Sequence, residues 1–267
     1  MPTEQILFLA VIQGITEFLP ISSSAHLALL PLLTDFQDQG LVFDVGLHLG
    51  TLVAVMLYFK KQTGQILAGG LNIFKGQWGK ENTKLFGLLL LATAPVAVAG
   101  FFFGDYVANH ARNLQVIGTT SIVFGALLWL ADLMPRKHSE LTKLNAGHAL
   151  VFGLFQALAL IPGTSRSGIA MTAGRFLGFK RRDAAAFAML MAMPVLILSG
   201  VYSILYGDHM AINWQNAFSE MLLGLGVSFA TALFAIAALM NIVGRFGFGV
   251  FAFYRIMLGV ALLIVAG

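Results

Sequence analysis

Apolar positions along this chain come in long runs, separated by short clusters of charged residues and glycine. Six runs are long enough to form membrane-crossing helices, at roughly 43–59, 85–103, 114–134, 183–206, 217–241 and 249–266, since a crossing needs about 20 apolar residues. Two further apolar regions are interrupted near their centres. The first, roughly 5–33, breaks at Pro20-Ile21-Ser22-Ser23-Ser24. The second, roughly 146–177, breaks at Pro162-Gly163-Thr164-Ser165-Arg166-Ser167-Gly168. Each half is only about 12–15 residues, short for a span and suited to a re-entrant helix pair. The pattern predicts an all-α polytopic membrane protein: a single membrane domain over 1–267, with about six transmembrane helices plus two re-entrant pairs.

Composition agrees. Of the 267 residues 58% are hydrophobic and 10% charged, against about 25% charged in soluble domains. Too little polar surface exists to coat a water-soluble globule of this size. The 29 glycines suit close helix packing in lipid and leave room for a homodimer. The absence of cysteine excludes disulfides and thiolate chemistry. Residues 1–20 lack Lys and Arg, and Glu4 and Glu17 interrupt the apolar stretch, so a cleaved signal peptide is not expected. No nucleic-acid partner is expected; the partners are membrane lipids.

Charge placement orients the chain. Lys60, Lys61, Lys75, Lys80 and Lys84 lie in one connection, Arg136, Lys137 and Lys143 in another, and Arg175, Lys180, Arg181 and Arg182 in a third, with Arg245 in a fourth. The alternate connections hold Asp35, Asp38 and Asp44, then the single Arg112, then Asp208 and His209. The positive-inside rule places the first group in the cytoplasm. Each half is then one re-entrant pair plus three spans, and an odd number of spans inverts the halves. The expectation is an inverted-topology repeat, about 1–135 and 144–267, with its site at the midplane where broken helices meet. Phe18-Leu19-Pro20-Ile21-Ser22-Ser23-Ser24 aligns without a gap to Leu160-Ile161-Pro162-Gly163-Thr164-Ser165-Arg166, a weak echo of that repeat.

Polar residues inside apolar sequence are the candidate chemistry: Gln13, Glu17, Ser22, Ser23, Ser24, His26, His48, Ser165, Arg166 and Ser167. Ionisable groups at membrane depth are costly and mark sites, and Glu17 and Arg166 relieve each other's cost by pairing or sharing a ligand. Gln13 and Glu17 share a helix face. Pro20 ends that helix. The serines then stand where a new half-helix starts and its free N–H groups favour an anion. His26 is spaced to reach back to them. Gly163 allows close backbone approach, and Arg166 offers bidentate phosphate contact. Simpler roles compete. Ser22 and Ser24 serve equally well bonding backwards to a carbonyl or packing as small residues. His48, with no partner in view, is taken as a satisfied polar residue. Arg175 to Arg182 is taken as a topology determinant in contact with lipid headgroups.

The stretch from Gln13 to His26 closely resembles the first signature of undecaprenyl-diphosphate phosphatases of the bacitracin-resistance type: Glu/Gln-x-x-x-Glu, then Pro-x-Ser-Ser and a His. Pro162-Gly163-Thr164-Ser165-Arg166-Ser167-Gly168 is similar to the second, Pro-Gly-x-Ser-Arg-Ser-Gly. The resemblance extends over the whole chain in length, span order and motif placement. It implies hydrolysis of undecaprenyl diphosphate to the monophosphate and phosphate, recycling the lipid carrier for peptidoglycan synthesis and conferring bacitracin resistance. It also implies a site open to the periplasmic face of the bacterial inner membrane, and a divalent cation, Mg²⁺ or Ca²⁺. By motif, Ser23, His26 and Glu17 are the catalytic candidates, the nucleophile being Ser23, His26 or activated water. Arg166, Ser165, Ser167, Gly163, Thr164 and Ser24 are the substrate-binding candidates, and Glu17 and Gln13 the metal candidates. Gln13 stands where some members have Glu, which removes one anionic ligand.

The main rival is a transporter or flippase of a phosphorylated prenyl lipid, because inverted repeats of broken helices are a transporter plan. It would need Arg166 but not Ser23 and His26 together. Ser24-Ala25-His26 faintly resembles the Ser-Gly-His of type-2 phosphatidic-acid phosphatases, whose other elements are missing here.

Overall fold

The structure, a computed structural model, describes residues 1–23, 25–26, 41–111, 113–135, 141–206 and 214–266. These form α1 (Thr3–Thr16), α2 (Leu41–Tyr58), α3 (Lys60–Phe74), α4 (Glu81–His110), α5 (Leu114–Leu133), α6 (Ala146–Ala157), α7 (Arg166–Phe176), α8 (Arg181–Tyr206), α9 (Trp214–Arg245) and α10 (Gly249–Ala266). No strand occurs among the described residues. Among the described residues five helices are long and apolar enough to cross a membrane, and α2 with α3, bent by 99°, makes up to a sixth. The chain is a polytopic all-α membrane protein.

Local chemistry sets several boundaries. Asn113 and Asn145 cap α5 and α6, accepting hydrogen bonds from Val116 N at 2.8 Å and His148 N at 2.9 Å. Pro95 and Pro194 lie inside α4 and α8; surrounding helices and local backbone adjustment make such prolines tolerable in membrane helices. One expectation fails at residues 60–84, read as a loop. Most of it is α3, in which Gly69 lets the helix settle onto the Asn82 carbonyl of α4; a Cβ there would come within 2.2 Å of that oxygen. Repeated lysines masked a helix whose Leu67, Leu71 and Phe74 remain exposed.

α8 is the central helix. Every residue from Ala184 to Met193 is buried, as expected of a helix apolar all round. Around it, α1 packs on α9, α6 packs on α4, and α5 packs on α10. Small residues permit these approaches: Gly14 faces Thr231 and the Ser228 carbonyl, Gly153 faces Ala92 and Pro95, and Gly118 and Gly259 face each other. Close backbone contact is the usual means of helix association in lipid.

The basic stretch from the last turn of α7 to the start of α8 is more than a topology determinant. Arg175 is buried and donates to the carbonyls of Phe179 at 2.5 Å, Asp132 at 3.1 Å and Met134 at 2.7 Å. Arg181 grips the Asp132 carboxylate twice, at 2.7 and 2.9 Å, and Phe248 N donates to it at 3.0 Å. With Arg175 Nε also 3.5 Å from Asp132 Oδ1, one carboxylate ties the ends of α5, α7, α8 and α10 together. A buried arginine committed to backbone carbonyls is not a headgroup contact. Of the residues singled out by sequence, Ser24, Asp35, Asp38, Arg112, Arg136, Lys137, Asp208 and His209 lie outside the described residues.

Candidate active site

Two interruptions of helix meet in the protein's interior. α1 ends beside Glu17, and helix resumes at Ser23. α6 runs through a tighter turn, Leu158–Leu160, and helix resumes at Arg166. Ser22 and Ser165 cap the resuming helices, each hydroxyl accepting a backbone N–H three residues on, from Ala25 N at 3.4 Å and Gly168 N at 3.2 Å. They also share an unusual backbone. Among the described residues they are the non-glycine positions with positive φ, 71° and 66°. The structural register therefore pairs Ser22 with Ser165, one residue away from the gapless alignment. The second turn holds one extra residue between its proline and its cap.

An ion pair joins the breaks. Arg166 Nη2 donates to Glu17 Oε1. The carboxylate is buried, with its side chain 1% exposed, whereas Arg166 is 24% exposed. Burying that carboxylate unpaired would cost several kcal/mol, so the pair both locks the breaks together and holds the guanidinium at the site. Ser167 Oγ adds a second tie, donating to the Leu19 carbonyl at 3.0 Å, with Ser165 Oγ 3.3 Å away. Arg166 Nε and Nη1 make no hydrogen bond among the described residues, and neither does the Ser23 hydroxyl.

Gln13 completes the polar cluster. Its amide donates to Glu17 Oε2 at 2.7 Å and lies 3.1 Å from His48 Nδ1. His48 Nδ1 is itself 3.8 Å from Glu17 Oε2. His48, set aside on sequence, is a member of the site; α2 delivers it from a position whose sequence neighbours are apolar. His26 reaches back as its spacing predicted, to the Ser22 carbonyl, which its Nδ1 approaches at 2.8 Å, and among the described residues it bonds no serine hydroxyl. Its Nε2 is 2.7 Å from the Tyr254 hydroxyl.

The second break is braced from below. Thr120 Oγ1 donates to the Pro162 carbonyl at 2.6 Å. Arg255, fully buried, donates through Nη2 to the carbonyls of Gly163 at 2.9 Å and Thr164 at 2.7 Å. The Thr164 hydroxyl is buried without a partner among the described residues. Gly163 has φ of +86°, and a Cβ there would come within 2.2 Å of Thr120 Oγ1, so the turn requires glycine. Arg255 was missed in the sequence, although an arginine within an apolar span is the signal that picked out Arg166.

Beside the cluster runs an apolar groove of about 430 Å³, walled by Ile12, Ile15, Leu19, Ile21, Val250 and Phe251, with Thr16, His26 and Tyr254. Polar site and apolar groove meet at His26.

The described residues hold no cluster of three or more His, Asp or Glu arranged to cage a metal. Glu17 is the one carboxylate in the site among the described residues, and both its oxygens are engaged, by Arg166 and Gln13. Glu17, Gln13 and His48 fit only a cation shared with an incoming phosphate, as Mg²⁺ is often held.

Fold and site define a class: an all-α integral membrane protein whose interrupted helices bring a carboxylate, a guanidinium, an imidazole and hydroxyls together beside an apolar groove. Residues 6–261 match the family described as bacitracin resistance protein BacA, and the chain belongs to that family. It is 43% identical to Undecaprenyl-diphosphatase 1 of Pseudoalteromonas translucida (strain TAC 125), covering 97% of each chain. It is 45% identical to the Undecaprenyl-diphosphatase of Teredinibacter turnerae over 97% of each chain. With that of Saccharophagus degradans it shares 44% identity over 96% of this chain and 95% of the relative.

Proposed function

We propose that this chain is a membrane-integral phosphatase that hydrolyses undecaprenyl diphosphate to undecaprenyl phosphate and inorganic phosphate. The observation that carries this is the Glu17–Arg166 ion pair, which joins the end of α1 to the start of α7 beside an apolar groove. Relatives named for this activity match nearly the whole chain.

The diphosphate is taken up by Arg166, whose Nε and Nη1, without a partner among the described residues, offer a bidentate face, and by the backbone N–H groups that begin the helix capped by Ser165. The groove takes the adjoining part of the prenyl chain. Ser23 Oγ attacks the terminal phosphorus, its proton passes to a base, and the P–O bond to the prenyl phosphate breaks. Water then attacks the phosphoserine phosphorus, releasing phosphate and restoring the hydroxyl. His26 handles the proton through Nε2, because Nδ1 is committed to a carbonyl. A divalent cation, Mg²⁺ or Ca²⁺, held by Glu17 and Gln13 together with the substrate's phosphate oxygens, would offset the remaining negative charge.

The halves, about 1–135 and 144–267, are read as inverted repeats. Support comes from the exchange in packing, with α1 on α9 and α6 on α4, and from the matched caps Ser22 and Ser165. The loop charges favour a site facing the periplasmic side of the inner membrane. There the product would return to the carrier pool for peptidoglycan synthesis, with bacitracin resistance as the consequence.

The test is phosphate release from a C55 prenyl diphosphate by purified protein, with and without Mg²⁺ or Ca²⁺. Metal-dependent release is expected, lowered about a thousandfold in Ser23→Ala and Arg166→Ala. No release from well-folded wild type would sink the enzyme and leave prenyl-lipid transport in its place.

A further inference from the structure

We infer that Tyr254 is a positioning residue for His26, and that α10 sets the two breaks in register through the adjacent residues Tyr254 and Arg255. The inference rests on the phosphatase proposal for its kinetic consequence and on geometry alone for the contact. The Ser22 carbonyl can only accept, so His26 Nδ1, 2.8 Å away, carries a hydrogen. In the neutral ring Nε2 is then the lone-pair nitrogen, and the Tyr254 hydroxyl donates to it at 2.7 Å. The rings are parallel within 6°, with centroids 5.7 Å apart. Both edges of the imidazole are held. Its lone-pair nitrogen is aimed by a phenol 228 residues away in sequence, whose hydroxyl turns aside when Nε2 takes up a proton.

The next residue along α10 grips the other break. Arg255 donates to the Gly163 and Thr164 carbonyls, immediately before the cap at Ser165. One helix turn thereby spaces the imidazole of the first break against the anion-binding start of the second. Tyr254 also lines the apolar groove. A prenyl chain seated there would touch the residue that aims His26, which places substrate recognition next to the catalytic nitrogen.

Tyr254→Phe keeps the groove wall and removes one hydroxyl. With a C55 prenyl diphosphate, kcat should fall about tenfold and KM stay within about twofold, as expected for loss of one aligned hydrogen bond that matters in the transition state. A ¹⁵N spectrum of histidine-labelled protein supplies a readout independent of turnover. Its His26 signals are those lost in His26→Gln. The wild type should show a protonated Nδ1 and a hydrogen-bonded Nε2, and only the Nε2 signal should move in Tyr254→Phe. Unchanged kinetics, a rise in KM alone, or an unmoved Nε2 signal would each overturn the inference. If wild type releases no phosphate but the Nε2 signal moves, the contact stands and the phosphatase proposal falls.

Discussion

The two breaks use one backbone device for different ends. Each has a proline and, just before helix resumes, a serine cap at positive φ. The first carries the groups that can move protons or attack: Glu17, Ser23 and His26. Ser23 has no partner among the described residues, and His26 is steadied from outside by Tyr254. The second carries Arg166 and is held almost entirely through its carbonyls, by Thr120, Ser121 and Arg255. Holding a turn by its carbonyls leaves its N–H groups for a ligand. Under the proposed function the first break is the reactive half and the second the anion-holding half, coupled by Glu17 and Arg166.

The separation can be tested from its largest consequence downward. Arg166→Lys keeps the charge but loses the planar fork, and phosphate release should drop about 10²–10³-fold. Near-normal turnover would reduce the second break to a positive charge. Arg255→Met fills similar space but cannot donate to the Gly163 and Thr164 carbonyls. The expected cost is about 2–3 kcal/mol in detergent-based thermal unfolding, with turnover falling too, whereas Tyr254→Phe should leave stability nearly unchanged. Equal stability losses would erase the contrast between braced and reactive halves. Gly163→Ala imposes a Cβ on a positive-φ position facing Thr120 and should cost about 2 kcal/mol by the same measurement. The smallest effects belong to the caps. Ser22→Gly and Ser165→Gly should each shift stability by only a few tenths of a kcal/mol, since glycine accepts positive φ and is a tolerable cap, while alanine should cost about 1 kcal/mol. A much larger effect at Ser22 than at Ser165 would show that the two caps are not equivalent.

Much of this was legible in the sequence because membrane burial is harsh on polar groups. A Glu and an Arg inside apolar sequence have few tolerable arrangements, so Glu17 and Arg166 announced each other across 149 positions. Pro20 and Pro162 marked the breaks because proline removes a donor and restricts its predecessor. His48 was not legible: nothing local distinguishes a site histidine from a satisfied one, and only the approach of α2 to α1 decides the matter. Arg255 was legible and overlooked. The register of the two caps was not, because a one-residue difference in turn length leaves no trace in composition.

What the sequence by itself determined is the set of apolar spans, the two interruptions and the residue types gathered at them. These follow from short-range rules and from the cost of placing polar groups in lipid. Only the tertiary structure decided which helix covers which break, that Ser22 matches Ser165, that one carboxylate, Asp132, ties four helix ends together, and that Tyr254 and Arg255 face opposite breaks from one turn of α10. Those outcomes depend on how close backbones approach and on how helices rotate about their axes. Glycines such as Gly118 and Gly259 permit that approach, but its geometry emerges only when all the helices pack at once.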